Sequence, residues 1–278
     1  MSSCYELFPS RDLLFPIQGR LPDLFDIDGL SNFRDVGGYR AIGGGFVRKG
    51  LIFRSSNTEA ITQTGAIKLA KGYGIRTIFD LRSVGEDVQR NRRLAIIPTV
   101  QVPALSNLDD DKIVTYLHGL ATDDAPSVTA ELYLWICAMS TAAFRTVFTY
   151  LRDNPGHPVL LHCELGKDRT GICIAVILLV LGVPDQEVIR DYQFSQEGIK
   201  PIIPERRQKL LQLPALLRSS IPSMAIDKHF LASPDTMRRF LMCFRKTYGS
   251  GEDYLLSIGF NVDDCNSIRR NLIEYPFR

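Results

Sequence analysis

Apolar positions follow two rhythms along this chain. Short runs of strand length occur near 46–54 within GGGFVRKGLIFRS, at 75–82 (IRTIFDLR), at 97–103 (IPTVQVP) and at 157–163 (HPVLLHC); their length and β-branched or aromatic content predict strands. Elsewhere the spacing is helical. TQTGAIKLAKGYG opens on a threonine cap and closes on glycines, framing a short helix. The polar, aspartate-rich stretch 105–126 leads into 127–152, where Leu132, Ile136, Met139, Phe144, Phe148 and Leu151 fit one long amphipathic helix. ICIAVILLVLGV, 172–183, is the most apolar run; its 12 residues fall short of the ~20 needed to span a bilayer and predict a buried helix. From Pro184 onward the pattern is helical, near 185–196, 203–219, 234–248, 251–258 and 263–273, with no strand.

Strands alternating with helices, then a helical C-terminal third, predict an α/β fold with a central sheet flanked by helices. Prolines at 9, 16 and 22 make residues 1–29 an irregular arm, leaving 30–278 as one domain. The whole chain has 278 residues, 45% hydrophobic and 23% charged, which excludes fibrous and largely disordered classes. A net charge of only +2 gives no global field for nucleic acid, so any anion site is local. Six cysteines without CxxC pairs suit reduced thiols. With no secretory or transit pattern at the N-terminus, the expected compartment is reducing and cytoplasmic.

The candidate chemistry is concentrated in HCELGKDRTG, residues 162–171, between a predicted strand and a predicted helix. Cys163 falls at the carboxyl end of its strand, where open α/β sheets place ligand sites. Arg169 opens the helix five residues later. The amides of Glu164, Leu165, Gly166, Lys167, Asp168 and Arg169 can line an anion nest, to which the helix N-terminus adds positive potential. The same donors stabilise a thiolate, making Cys163 a nucleophile. Arg169 supplies a planar fork for two phosphate oxygens, Gly166 permits the tight turn, and Thr170 is placed to hydrogen-bond the sulfur. His162 orients the loop from behind. A nucleotide P-loop is excluded, because Lys167 is followed by Asp168 and residue 161 is Leu. A sulfur-transfer loop fits the DRTG ending poorly.

HCELGKDRTG resembles the active-site loop of the atypical, cysteine-dependent tyrosine/serine protein phosphatases, some of them secreted bacterial enzymes acting on proteins and phosphoinositides. NFRDVGGY (32–39), VRKGLIFRSS (47–56), IRTIFDLRSVGE (75–86), GVPDQEVIRDYQFS (182–195) and YGSGEDYLLSIGF (248–260) resemble further blocks of that family in order. The resemblance implies a protein-tyrosine-phosphatase-like fold, no cofactor or metal, and two steps: Cys163 attacks phosphorus while Arg169 and the loop amides hold the equatorial oxygens, then water hydrolyses the phosphocysteine. It makes Asp168 the general acid, with an N-cap role equally open to that carboxylate. Asp109, Asp110, Asp111, Asp123 and Asp124 are upstream alternatives. Lys167 either admits a second anionic group at the mouth or is solvated. Asp80 and Arg82 are expected beside the loop as a structural ion pair, and Arg34 and Asp35 in a turn with Gly37 and Gly38. The basic segment 200–211 reads as a solvated helix face. The substrates implied are phosphoprotein, with phosphoinositide as the alternative; a catalytically silent phospho-binding module is the rival class. Oligomeric state is left open.

Overall fold

The computed structural model describes residues 24–83, 86, 92–105 and 110–276. At its centre is a five-stranded sheet of β1 (Arg34–Asp35), β3 (Ile52–Ser55), β6 (Val159–His162), β4 (Thr77–Asp80) and β5 (Thr99–Gln101), in that spatial order. All neighbours are parallel except the antiparallel β1·β3 edge. Strand β6 is central, and every one of its residues is buried. Alternate side chains feed two cores: Ile52, Phe79, Val159 and Leu161 enter the larger, while Phe53, Ile78 and Leu160 enter the smaller. Burial on both faces explains why these strands read as continuous apolar runs.

Helix α5 (Arg169–Val180) follows β6 and is apolar on all sides because nine successive residues, Thr170 to Leu178, are buried. It packs with α3 (Ala125–Met139), α6 (Asp185–Ile199) and α11 (Gly251–Ser257). Helices α4 (Thr141–Asp153), α10 (Pro234–Tyr248) and α12 (Val262–Leu272) complete that layer, and α1 (Gln63–Ile67) lies with the smaller core. A third cluster joins α2 (Asp110–Leu120), α8 (Pro214–Leu217) and α9 (Ser223–His229), beside α7 (Ile203–Leu211), and takes in Leu165 from the loop after β6.

Three expectations are revised, and one helix is added. The run 46–54 divides into β2 (Phe46–Val47) and β3, separated by a turn in which Gly50 has φ +76°. The C-terminal third does hold a strand, β7 (Ile273–Glu274), which pairs antiparallel with β2. The long helix at 127–152 is two helices, α3 and α4, bent by 69° at Ser140. The polar stretch 105–126 contains helix α2. Of the expected arm, residues 1–23 lie outside the described residues; Phe25 and Ile27 pack on the smaller core.

Candidate active site

Parallel register puts three strand ends side by side. Ser55 and Asp80 each stand opposite His162, so Ser56–Asn57, Leu81–Arg82 and Cys163 leave the sheet at one edge. The loop after β6 is held there by its carbonyls. Asn57 N–H donates to Glu164 O at 3.0 Å. Asn32 Nδ2 donates to Leu165 O at 3.1 Å and Gly166 O at 3.2 Å, and Arg54 Nη2 to Gly166 O at 2.6 Å. Across a trans peptide the N–H points opposite to the C=O. Tying these three carbonyls outward therefore turns the Leu165, Gly166 and Lys167 amides to the concave side, as an anion nest requires. Gly166 has φ +67°, and a Cβ there would lie 2.1 Å from Ser55 O.

Cys163 is 2% exposed, with the larger core beneath it and Arg169 close by. Arg169 is held by a residue the sequence did not single out: Nη1 and Nη2 donate to the two carboxylate oxygens of Glu86 at 2.6 and 2.8 Å. Burial lowers the guanidinium pKa, but the Glu86 bonds and the negative charge assignable to Cys163 more than offset it, so the net shift is upward. Burial likewise raises the Glu86 pKa, and Arg169 reverses it to a net lowering.

Asp168 occupies the N-cap position of α5, yet its side chain makes no capping bond; it turns to other partners. Tyr133 Oη donates to Asp168 Oδ1, Lys167 Nζ donates to the same oxygen at 2.7 Å, and Tyr192 Oη lies 2.7 Å from Tyr133 Oη. Burial raises the Asp168 pKa, but the Lys167 charge, with His229 and the two hydrogen bonds, brings it below the ordinary value. Lys167 is not solvated. Its side chain is 1% exposed and also donates to Leu231 O at 3.3 Å. Thr170 Oγ1 is buried without a hydrogen-bond partner among the described residues, so the expected bond to the Cys163 sulfur is not made.

Two buried ionic clusters back the loop. Arg82 donates to Asp80 through Nε (3.0 and 3.2 Å) and Nη2 (2.8 Å), the structural pair the sequence suggested, and through Nη1 to Glu59 Oε1 at 2.6 Å. His162 lies behind the loop, Nε2 3.8 Å from Asp80 Oδ2; burial holds its pKa below the usual value. The second cluster was not anticipated. Arg34 donates to Asp191 Oδ1 (3.2 Å), Asp191 O (2.9 Å) and Ser195 Oγ (2.9 Å), and Arg54 donates to Asp191 Oδ2. Burial, then the Arg54 charge, lowers the Arg34 pKa to about 10. Asp35 does form the expected turn, accepting from Gly37 and Gly50 N–H, but Arg34 turns inward to the loop's scaffold.

Among the described residues, the upstream carboxylates Asp111, Asp123 and Asp124 have no bond to the loop. Asp109 and the Asp110 side chain lie outside the described residues, Asp111 and Asp123 are exposed, and Asp124 pairs with Arg239. The basic segment is not wholly a solvated face: Arg206, with its side chain 10% exposed, pairs with Glu164 Oε1 at 2.7 Å, and Asn57 Nδ2 donates to the other oxygen at 2.8 Å. Glu164 thus contributes its side chain to the loop's support.

A free cysteine and an arginine thus share one turn, its amides facing inward, at the carboxyl edge of a mostly parallel sheet. Residues 25–274 match the model of the tyrosine phosphatase family, and the chain belongs to that family, whose members hydrolyse phosphate monoesters. It is 26% identical over 291 residues to the triple specificity protein phosphatase PtpB of Mycobacterium tuberculosis, covering 89% of this chain and 98% of that one. It is 30% identical over 142 residues to a tyrosine-protein phosphatase of Nostoc commune, covering 51% and 47%. Among solved structures, the core catalytic domain of the PP-IP phosphatase SIW14 from S. cerevisiae aligns at 17% identity and a TM-score of 0.34, over 69% of this chain and 98% of that one. Among the described residues, no single helix is long and apolar enough to cross a membrane.

Proposed function

We propose that Cys163 is the nucleophile of a metal-independent phosphotyrosine hydrolysis that proceeds through a phosphocysteine. The observation that carries this reading is the loop itself: three carbonyls tied outward, amides facing inward, and Arg169 at the helix start. The phosphoryl group sits on the amides and the Arg169 fork. The sulfur attacks phosphorus in line, the S–P bond forms as the ester P–O bond breaks, and Asp168 gives its proton to the leaving phenolate oxygen. A dianion on the loop opposes the negative charge on Asp168 and favours its protonated form. In the second step Asp168, again a carboxylate, takes a proton from the attacking water as the S–P bond breaks and inorganic phosphate departs.

Phosphoprotein is the substrate class supported. The phosphoinositide alternative drew on Lys167 at the mouth, and that amine instead faces Asp168 and Leu231 O. Activity on phosphoserine and phosphothreonine would extend the same chemistry to poorer leaving groups. The test is turnover of p-nitrophenyl phosphate with EDTA and a thiol reductant present. Activity is expected, with a loss of about three orders of magnitude or more in Cys163→Ser; undiminished turnover in that variant overturns the assignment. Phosphotyrosine peptides, phosphoserine peptides and phosphoinositides then rank the substrates.

A further inference from the structure

Both donors to the Asp168 carboxylate fall on one oxygen. Tyr133 Oη and Lys167 Nζ bond Oδ1, and Oδ2 has no donor among the described residues. Lys167 belongs to the loop itself, but Tyr133 is a fully buried residue of α3, and its hydroxyl is fixed in turn by Tyr192 of α6. The two rings meet edge to face, with centroids 5.9 Å apart, and Tyr133 packs the same way on Phe240 of α10 at 6.1 Å. Burying two tyrosine hydroxyls inside the larger core is costly unless each is satisfied; among the described residues their chain ends on the Asp168 carboxylate. The neighbouring residue of α6, Asp191, holds Arg54, which grips the loop backbone at Gly166 O, and Arg34, which bonds Asn32. One turn of α6 therefore steadies both the loop's main chain and its carboxyl group.

We propose that Tyr133, oriented by Tyr192, is a positioning residue for the general acid: it anchors Oδ1 of Asp168 and so presents Oδ2 to the leaving-group oxygen. This rests on the reading of Asp168 as the acid. A carboxyl pivoting about its Cβ–Cγ bond delivers its proton along a useful line only part of the time, whereas one pinned at Oδ1 by two donors from different elements is preorganised. The charged and titratable groups facing Asp168 are Lys167 and Arg169 on its own loop and helix, His229 from α9, Tyr116 from α2, Tyr133 from α3 and Tyr192 from α6. Of these only Tyr133 and Lys167 touch the carboxylate.

The consequence is selective by leaving group. Phenyl phosphate and p-nitrophenyl phosphate fill nearly the same space, but the phenolate of the first needs protonation far more. In the full chain, Tyr133→Phe is expected to lower the ratio of kcat/KM on phenyl phosphate to that on p-nitrophenyl phosphate by about tenfold, a fraction of the 10²–10⁴ that general acid catalysis supplies. Asp168→Asn is expected to lower the ratio further, and Tyr133→Phe added to Asp168→Asn to leave it unmoved, since the tyrosine acts only through the carboxyl group. Tyr192→Phe should shift the ratio in the same direction by less. Equal losses on both substrates in Tyr133→Phe, or a full additional effect in the Asp168→Asn background, overturn the positioning role. If Asp168→Asn itself leaves the ratio unchanged, the acid assignment fails and the proposal with it. A normal ratio in Tyr133→Phe beside a depressed one in Asp168→Asn removes the proposal alone. The ratio is independent of the fraction of folded enzyme, so partial misfolding does not blur the result.

Discussion

Gly166 shows how narrowly single residues determine this site. Its φ of +67° and the 2.1 Å approach of a would-be Cβ to Ser55 O leave no room for a side chain, so Gly166→Ala should push the loop off the sheet edge. The expected result is loss of most activity on p-nitrophenyl phosphate, with a drop in thermal midpoint. Asp191 is a second such point. It is 1% exposed and faces both Arg34 and Arg54; Asp191→Ala leaves two buried guanidinium groups with no carboxylate between them. Breaking a buried ionic cluster in this way costs about 3–5 kcal/mol, readable in a urea midpoint. The sequence made Cys163, Arg169 and Gly166 visible because they share ten residues. Asn32, Arg54 and Glu86 reach the loop from 83 to 134 positions away in the bonds that join them to it, with Arg34 and Asp191 acting through Asn32 and Arg54, and no local pattern encodes that. The quoted blocks NFRDVGG, GLIFRSS, DLRSVGE and EVIRDYQFS do contain them, so the signal lay in the order of the blocks.

At the scale of elements, helix α9 brings His229 near Lys167 and Asp168. Burial, then the Lys167 charge, lowers its pKa to about 4. The unfolded chain takes up a proton near pH 6.5 that the folded chain refuses down to about pH 4, so stability falls as pH is lowered through that window, by at most about 1.4 kcal/mol per pH unit for this residue. Urea midpoints between pH 7 and 4.5 should show that slope, and His229→Leu should flatten it; an unchanged slope contradicts the assignment. Another element-scale contact is α10 on α3, where the fully buried Phe240 meets Tyr133. Phe240→Ala should cost about 3–5 kcal/mol. The strands at 75–82 and 157–163 and the buried helix after the loop were legible because burial on both sides writes a continuous apolar run. The bend at Ser140 was not, since Ile136 and Phe144, both buried, keep helical spacing across it. Strand β7 was equally hidden, two residues long and defined only by its pairing with Phe46 and Val47.

Across the whole molecule, the sheet fixes where chemistry happens and the helices determine how it is held. Parallel register brings Ser55, Asp80 and His162 level, so the turns that follow them converge on one loop. Helices α3 and α6 then reach over that loop, while α7 meets Glu164 and α9 approaches Asp168. The charge balance of +2 is consistent with an anion site made locally, from amides and one guanidinium, rather than by a basic surface. The central claim is that phosphate passes through the sulfur of Cys163, and the most direct test is to capture it. The enzyme is mixed with a phosphotyrosine peptide, quenched within one turnover, digested and mapped by mass spectrometry. The account predicts a phosphoryl group on Cys163 in the HCELGKDR peptide, absent in Cys163→Ser; phosphate released with no labelled cysteine at any quench time, or a label on His162 instead, would contradict it.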